Sequence, residues 1–252
     1  STYTITYDPN GGEKSGDFDS YMPQTYTVED DLSLSPRWGT ITRRGYTFKN
    51  WCFDEKCSTA PIYYIKRGNI HGDITLYAKW EPTKYTVSVY TDGNKSNVSE
   101  YGSAIQSHTN AYADNEITIW AEPKEGCMVR LLYVYGTNSS QTIYPSEGEN
   151  HSYTFTMPDE NVKVNVYFSP YCTVTTSESP LYTIEPIYDP QNLDYSAEKM
   201  PKGHTYKFYL NLAPGSYKTE NFAITANGVP VNYLENGGFY YTVISEDTAI
   251  EV

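Results

Sequence analysis

The stretch GYTFKNWCFDEKC, Gly45 to Cys57, decides how this chain is read. Either its two cysteines serve a metal or redox centre, or they sit in a hairpin whose aromatics are core. The C-x4-C spacing is not the C-x2-C loop that supports a low thiol pKa. A closed zinc site needs four ligands, and His71 is the nearest further candidate. The hairpin explains more. Tyr46 and Phe48 share one strand face by period two, while Trp51 and Phe53 have the opposite parity. One extra residue, a bulge at Asn50, brings all four aromatics to one side. Asn tolerates left-handed backbone better than most residues. Phe53-Asp54-Glu55-Lys56 then forms a four-residue loop that sets Cys52 opposite Cys57. Opposed residues in a non-hydrogen-bonded pair stand about 4.5 Å apart at Cα, at the short end of the range a disulfide accepts. Cys52 and Cys57 are therefore candidates for a structural disulfide, and the sequence leaves the bonded and free states both open.

Working outward, nearly every readable segment alternates with period two. YTITYD (Tyr3–Asp8) runs into Pro9-Asn10-Gly11-Gly12, a strong turn signal. DITLYAKW (Asp73–Trp80) places Ile74, Leu76, Ala78 and Trp80 on one face. YTVSVYTDG (Tyr85–Gly93), VKVNVYF (Val162–Phe168), TYKFYLNL (Thr205–Leu212) and FYYTVI (Phe239–Ile244) behave alike. Tyrosine is the compositional outlier, at 27 against 8 Phe and 4 Trp, and it suits half-buried strands. Glu29–Leu34 and Gly102–Tyr112 are the best candidates for short helices. The expected fold class is mainly β, in tandem small domains.

Charge excludes several functions. The net charge is −13, and Arg43-Arg44 and Lys66-Arg67 are the only adjacent basic pairs. A nucleic-acid binder needs a basic footprint, which is missing, and anionic membranes are disfavoured for the same reason. No apolar run approaches the roughly 18 residues of a membrane helix. The first residues already read as a strand, so the chain is expected to begin inside a longer protein.

A closing device recurs. Gly72-Asp73 precedes ITLYAKW, Pro158-Asp159-Glu160-Asn161 precedes VKVNVYF, and Ser245-Glu246-Asp247 precedes TAIEV. Pro82 and Pro170 follow the first two. The expected modules are 1–82, 83–169 and 170–252, with linkers near Glu81–Thr83 and Ser169–Tyr171.

The first module resembles the internalin B repeat, also called the Listeria–Bacteroides repeat. The residues that carry the resemblance are YTITYDPNGG (Tyr3–Gly12), RRGYTFKNWCFDEKC (Arg43–Cys57) and GDITLYAKW (Gly72–Trp80), in that order. The family usually has Gly and Tyr where this chain has Asn50 and Cys52. The other two modules look like divergent relatives, through AEPKEG, YTFTMPDENVKVNVYF and NGVPVNYLENGGFYYTVISEDTAIEV. The resemblance implies a β-grasp-like first module, β-sandwich or β-grasp-like partners, and an extracellular or cell-wall-attached place in a bacterial surface or secreted protein. It implies a spacer or adhesion role toward a protein or glycan ligand on host or neighbouring cells.

No catalytic, cofactor-binding or metal-ligating residue is assigned. His71, His108, His151 and His204 stand in no H-E-x-x-H frame, and no G-x-S-x-G occurs. Asp17, Asp19 and Glu29-Asp30-Asp31 lack the calcium-loop frame. Cys127 and Cys172 read as buried free thiols. The sequons at Asn97 and Asn138 mark exposed turns. Trp38, Tyr63-Tyr64, Tyr133, Tyr135 and Tyr240-Tyr241 are the candidate aromatic platforms for sugars, with tyrosines tiling half-buried strands as the more economical account. The expected molecule is thus a non-enzymatic, monomeric module array without cofactor, nucleic acid or membrane insertion. A carbohydrate-binding module accessory to a secreted enzyme is the alternative.

Overall fold

A computed structural model describes residues 1–145, 150–187 and 197–252. These fall into two compact units. The first comprises Ser1–Thr86, Asn110–Asn115 and Thr156–Glu160; the second comprises Val87–Thr109, Glu116–Phe155 and Asn161–Val252. The architecture is mainly β, as expected, and the helix among the described residues is the four-residue turn Phe18–Tyr21.

In the first unit, alternation builds a four-stranded sheet in the order Thr25–Thr27, Thr2–Asp8, Ile74–Pro82, Tyr46–Cys52. The central pair is parallel, with Ile5 beside Ile74 and Tyr7 beside Leu76. The inward positions Ile5, Tyr7, Leu76 and Ala78 are buried. Phe18, from the short helix, packs edge-on to Tyr7 at 5.4 Å and Trp51 at 6.0 Å. Trp51 is 1% exposed, and its indole N–H donates to the Leu34 carbonyl at 2.8 Å, so its one polar atom is satisfied in the core.

The bulge in Tyr46–Cys52 exists, but the extra residue is Lys49, between Phe48 and Asn50. Asn50 is not left-handed. It is buried and donates to the Trp51 carbonyl at 2.9 Å. The bulge gathers two of the four aromatics, not four. Phe48 and Trp51 meet at 5.1 Å, whereas Tyr46 (37% exposed) and Phe53 (43%) face outward. Phe53 lies beyond the end of the strand, where parity no longer constrains it.

Neither expected helix forms. Leu32–Ser33 pairs with Tyr64–Ile65. Asp30 accepts the Thr27 N–H at 2.6 Å and Asp31 the Arg67 N–H at 3.0 Å, so these acids hold turns instead of starting a helix. Gly102–Tyr112 contains the strands Gly102–Gln106 and Asn110–Tyr112.

In the second unit, Val162–Cys172 pairs parallel with Lys84–Thr91, from Val87↔Val162 to Thr91↔Val166, and antiparallel with Cys127–Tyr135. A three-stranded sheet, Gly102–Gln106, Glu116–Pro123 and Ser152–Thr156, supplies more of the unit. Val87, Val89, Ile117, Ile119, Leu132, Val162, Val164 and Val166 are buried. Farther on, Val174–Thr176 pairs parallel with Thr248–Glu251 over a core that includes Cys172, Phe208, Ile244 and Ile250. The strand Val162–Cys172 runs through Ser169–Tyr171, where the sequence places a linker, and its end pairs with Met200–Pro201.

Candidate functional site

The first unit carries an open cleft of about 970 Å³, whose lining includes Glu13, Arg37, Trp38, Arg43, Tyr46 and Trp80. Its floor follows from the turn after the first strand. Asn10, left-handed at φ 48°, turns its side-chain amide to the carbonyls of Glu55 at 2.9 Å and Ala78 at 3.0 Å. Trp80 donates its indole N–H to the Pro9 carbonyl at 2.8 Å. A Cβ at Gly12 would lie 2.4 Å from the Trp80 ring and 2.7 Å from the Thr42 carbonyl, so only glycine lets the backbone approach this closely.

The rim is set by the loop before Ile41–Thr42. Trp38 is 98% exposed. The Arg37 guanidinium lies over the Tyr21 ring at 4.9 Å and donates to its hydroxyl. The Arg43 guanidinium lies over the Tyr46 ring at 4.1 Å. Arg44 is differently placed: Asp114 receives it in two bonds of 2.6 and 2.9 Å, and Asp159 lies 4.0 Å away. That guanidinium holds the Asp114 carboxyl below its ordinary range. Trp38 was legible as a candidate. Arg37 and Arg43 were not singled out for a site, although Arg-Trp-Gly and Arg-Arg-Gly within nine residues of so acidic a chain are the signal that marks them.

The two cysteines of the opening stretch do not sit in the expected hairpin. Cys57 does not pair with Cys52 across a four-residue hairpin. Ile62 bridges back to Trp51, so the connection is longer, and Cys57 sits in a left-handed turn at φ 51° whose N–H donates to the Asp54 carbonyl. Both side chains are thiols, and they interact. Burial, then the neighbouring Cys52 thiol, pushes the Cys57 thiol up to about 12. Such a group is protonated at neutral pH and a poor nucleophile. Asp54 holds the turn. Its carboxylate accepts the N–H and hydroxyl of both Ser58 and Thr59, at 2.8–3.0 Å, and these bonds, the Ser58 N–H first, set its pKa well below the carboxylate range.

The other candidates separate. Tyr240 packs on Phe208 at 5.8 Å and Tyr233 at 4.7 Å, with Tyr241 half-buried beside it. Tyr133 and Tyr135 stack on each other at 5.2 Å, and Tyr63 and Tyr64 are exposed. Cys172 is buried and Cys127 half-buried, both as thiols. Among the described residues no three His, Cys, Asp or Glu gather as a metal site.

The acidic closing turns have a defined job. Asp73 accepts the Thr4 N–H at 2.7 Å, one residue before Ile5 pairs with Ile74. Asp247 accepts the Thr173 N–H at 2.7 Å, one residue before Val174 pairs with Thr248. Thr86 and Asn161 hold the corresponding positions before Val87↔Val162. Each time, an opening strand and a closing strand lie parallel.

Such a fold belongs to the class of tandem, mainly β modules closed by a parallel pair of first and last strands. The family of the first module is plain from comparison: residues 3–79 match the Listeria-Bacteroides repeat domain, a kind of repeat that points to bacterial surface proteins. A "Putative membrane protein" of Evansella cellulosilytica is 35% identical over 109 residues, which cover 42% of this chain and 15% of that protein. A "Putative Gly-rich membrane protein" of the same organism is 33% identical over 98 residues, covering 39% of this chain and 10% of that one. The chain therefore matches only a small part of each relative's length. No solved structure matches. No described helix is long and apolar enough to cross a membrane, which says nothing of strands.

Proposed function

We propose that this chain is a non-enzymatic segment of a bacterial surface or secreted protein, extracellular or wall-attached. Its modules, 1–82, 83–169 and 170–252, space and present contacts to a protein or glycan ligand. One observation carries the reading: the parallel pairing of first and last strands, which recurs three times. In a parallel pair the chain enters at one end of the strands and leaves at the other. Tension between the ends then loads the whole row of backbone hydrogen bonds in shear. That geometry suits a spacer that transmits force. The repeat match over residues 3–79 and the much greater length of the relatives support the same reading.

Outside the cell, Cys52 and Cys57 close as a structural disulfide in this proposal, since their thiols already meet and the compartment is oxidising. The exposed Trp38 favours a second reading, a carbohydrate-binding module beside a secreted enzyme. The test of the first reading is cellular. Antibodies raised against the purified chain should label intact cells of the producing bacterium. Labelling only after permeabilisation overturns the surface assignment.

A further inference from the structure

We propose that the cleft beside Trp38 binds an acidic saccharide, a short chain of uronic-acid units. Trp38 is the stacking platform, and Arg37 and Arg43 are the carboxylate partners. The inference rests on the reading of the chain as a contact-presenting surface module, and it names the ligand class.

Among the described residues Trp38 is the most exposed of the large hydrophobic side chains, at 98%, so its indole does no packing work within its unit. Its ring face carries the negative lobe of the aromatic quadrupole. The axial C–H groups of a pyranose form a flat, weakly positive face that complements it, while the equatorial hydroxyls stay in water.

The cations narrow the ligand further. In a chain with 31 Asp and Glu against 18 Lys and Arg, Arg37 and Arg43 line one cleft. Among the described residues, neither has a carboxylate within ion-pair distance, whereas Arg44 is taken by Asp114. Contact with the Tyr21 and Tyr46 rings, with one bond from Arg37 to the Tyr21 hydroxyl and one from Arg43 to the Asn10 carbonyl at 3.4 Å, positions the two guanidinium groups. Each keeps N–H edges for a planar carboxylate, the geometry for which arginine is best suited. Glu13 and Asp159 line the same cleft and repel an anion; Arg44 lies 4.0 Å from Asp159 and offsets its charge, so ligand carboxylates sit toward Arg37 and Arg43, away from Glu13. The cleft volume is of the size that holds a few sugar rings. An acidic peptide would satisfy the arginines but brings no flat C–H face for Trp38. A nucleic-acid strand would meet an acidic surface beyond the cleft.

The experiment is titration of the purified full chain with tetragalacturonate at low ionic strength, read by calorimetry and Trp fluorescence. Saturable binding with quenching is expected. Methyl-esterifying the ligand should weaken it about tenfold or more, as should Arg37→Gln or Arg43→Gln, because each removes a charge-assisted pair. Trp38→Ala should abolish the quenching and the binding while leaving Tm unchanged, since Trp38 supports no core. The proposal falls if no saturable binding occurs, if Trp38→Ala binds like the parent, or if oligoglutamate or a short oligothymidylate binds as tightly. The ligand is added to purified protein, so such a failure leaves the cell-labelling result standing, and a failed labelling leaves this one.

Discussion

In the first unit, the parallel strands Thr2–Asp8 and Ile74–Pro82 cover a space filled largely by rings: Tyr7, Phe18, Tyr26 and Trp51. In the second, residues 87–91 and 162–166 form the corresponding pair, and the buried side chains around it are mostly Val, Ile and Leu. One closure is thus compatible with two kinds of filling. Rings concentrate buried area in a few side chains, and Tyr and Trp each bring a polar atom that must be met. Tyr7 donates to the Pro23 carbonyl at 2.9 Å, Tyr26 to that of Gly72 at 2.6 Å, and Trp51 to that of Leu34 at 2.8 Å. These bonds tie loops to the core. An aliphatic core spreads the same area over many β-branched residues that bring no polar atom; in the second unit loop-holding falls to Thr91, whose hydroxyl donates to the Ser96 carbonyl at 3.0 Å, and to Asn165, whose amide oxygen accepts the Gly93 N–H at 3.1 Å. The first unit should therefore be more sensitive to single truncations, and its loops more dependent on them.

The sharpest way to break this contrast is Trp51→Ala. It should cost about 3–5 kcal/mol, because a cavity opens and the Leu34 carbonyl loses its donor. In urea unfolding, only the transition belonging to the first unit should shift. A loss shared equally by all transitions would mean that the two cores melt together. Leu132→Ala, fully buried in the second unit, tests the other filling. It should cost about 2–5 kcal/mol, at the lower end where neighbouring Val and Ile side chains relax into the gap. If it costs as much as Trp51→Ala, the aliphatic core is as rigidly specified as the ring core.

The Cys52–Cys57 pair sharpens the contrast from the loop side. Closing so short a loop contributes only about 2 kcal/mol in the chain-entropy model. After oxidation by a low-molecular-weight disulfide, the chain should weigh two hydrogens less, and peptide mapping should place the link within Gly45–Thr59. The first unit alone should then gain stability, and Cys57→Ser should remove the gain. Before oxidation, Cys57 should resist alkylation at neutral pH, because burial keeps its thiol protonated.

How much of this was legible depends on the range of the interaction. Strand patterns and the recurring acidic turns could be read because period two and turn chemistry are local. The bulge was legible as a need, from the parity of Phe48 and Trp51, but it fell on Lys49 because the Asn50 amide finds partners inside the core. Phe53 was misplaced because parity ceases to bind where a strand ends. Helices were misassigned at Glu29–Leu34 because acidic residues that start helices also cap turns, and only distant partners such as Arg67 decide between the two. At the cleft, Trp38 was visible as an aromatic, but its isolation is a tertiary fact. The availability of Arg37 and Arg43, as against Arg44, depends on where Asp114 lies.

The smallest expected effect belongs to the closing turns, and it tests whether the closures are equivalent. Asp73 and Asp247 accept the same kind of backbone N–H at the same register, each at 2.7 Å. Asp73→Asn and Asp247→Asn should therefore each weaken their own module slightly, leaving the parallel pair in place. The bond from the Thr4 N–H lowers the Asp73 pKa below its unfolded value. For such a group the stabilisation is fully present above the ordinary carboxylate pKa of about 3.9 and is lost as pH falls through the folded value. The difference in Tm between the parent chain and Asp73→Asn should thus be present at pH 7 and fade as pH falls through the folded value, below the ordinary carboxylate pKa. A difference that persists at acid pH would assign the effect to amide packing instead of to the carboxylate. Equal losses of Tm at pH 7 from Asp73→Asn and Asp247→Asn would make the closure one device used twice, whereas a loss at Asp73 alone would tie it to the ring-filled unit.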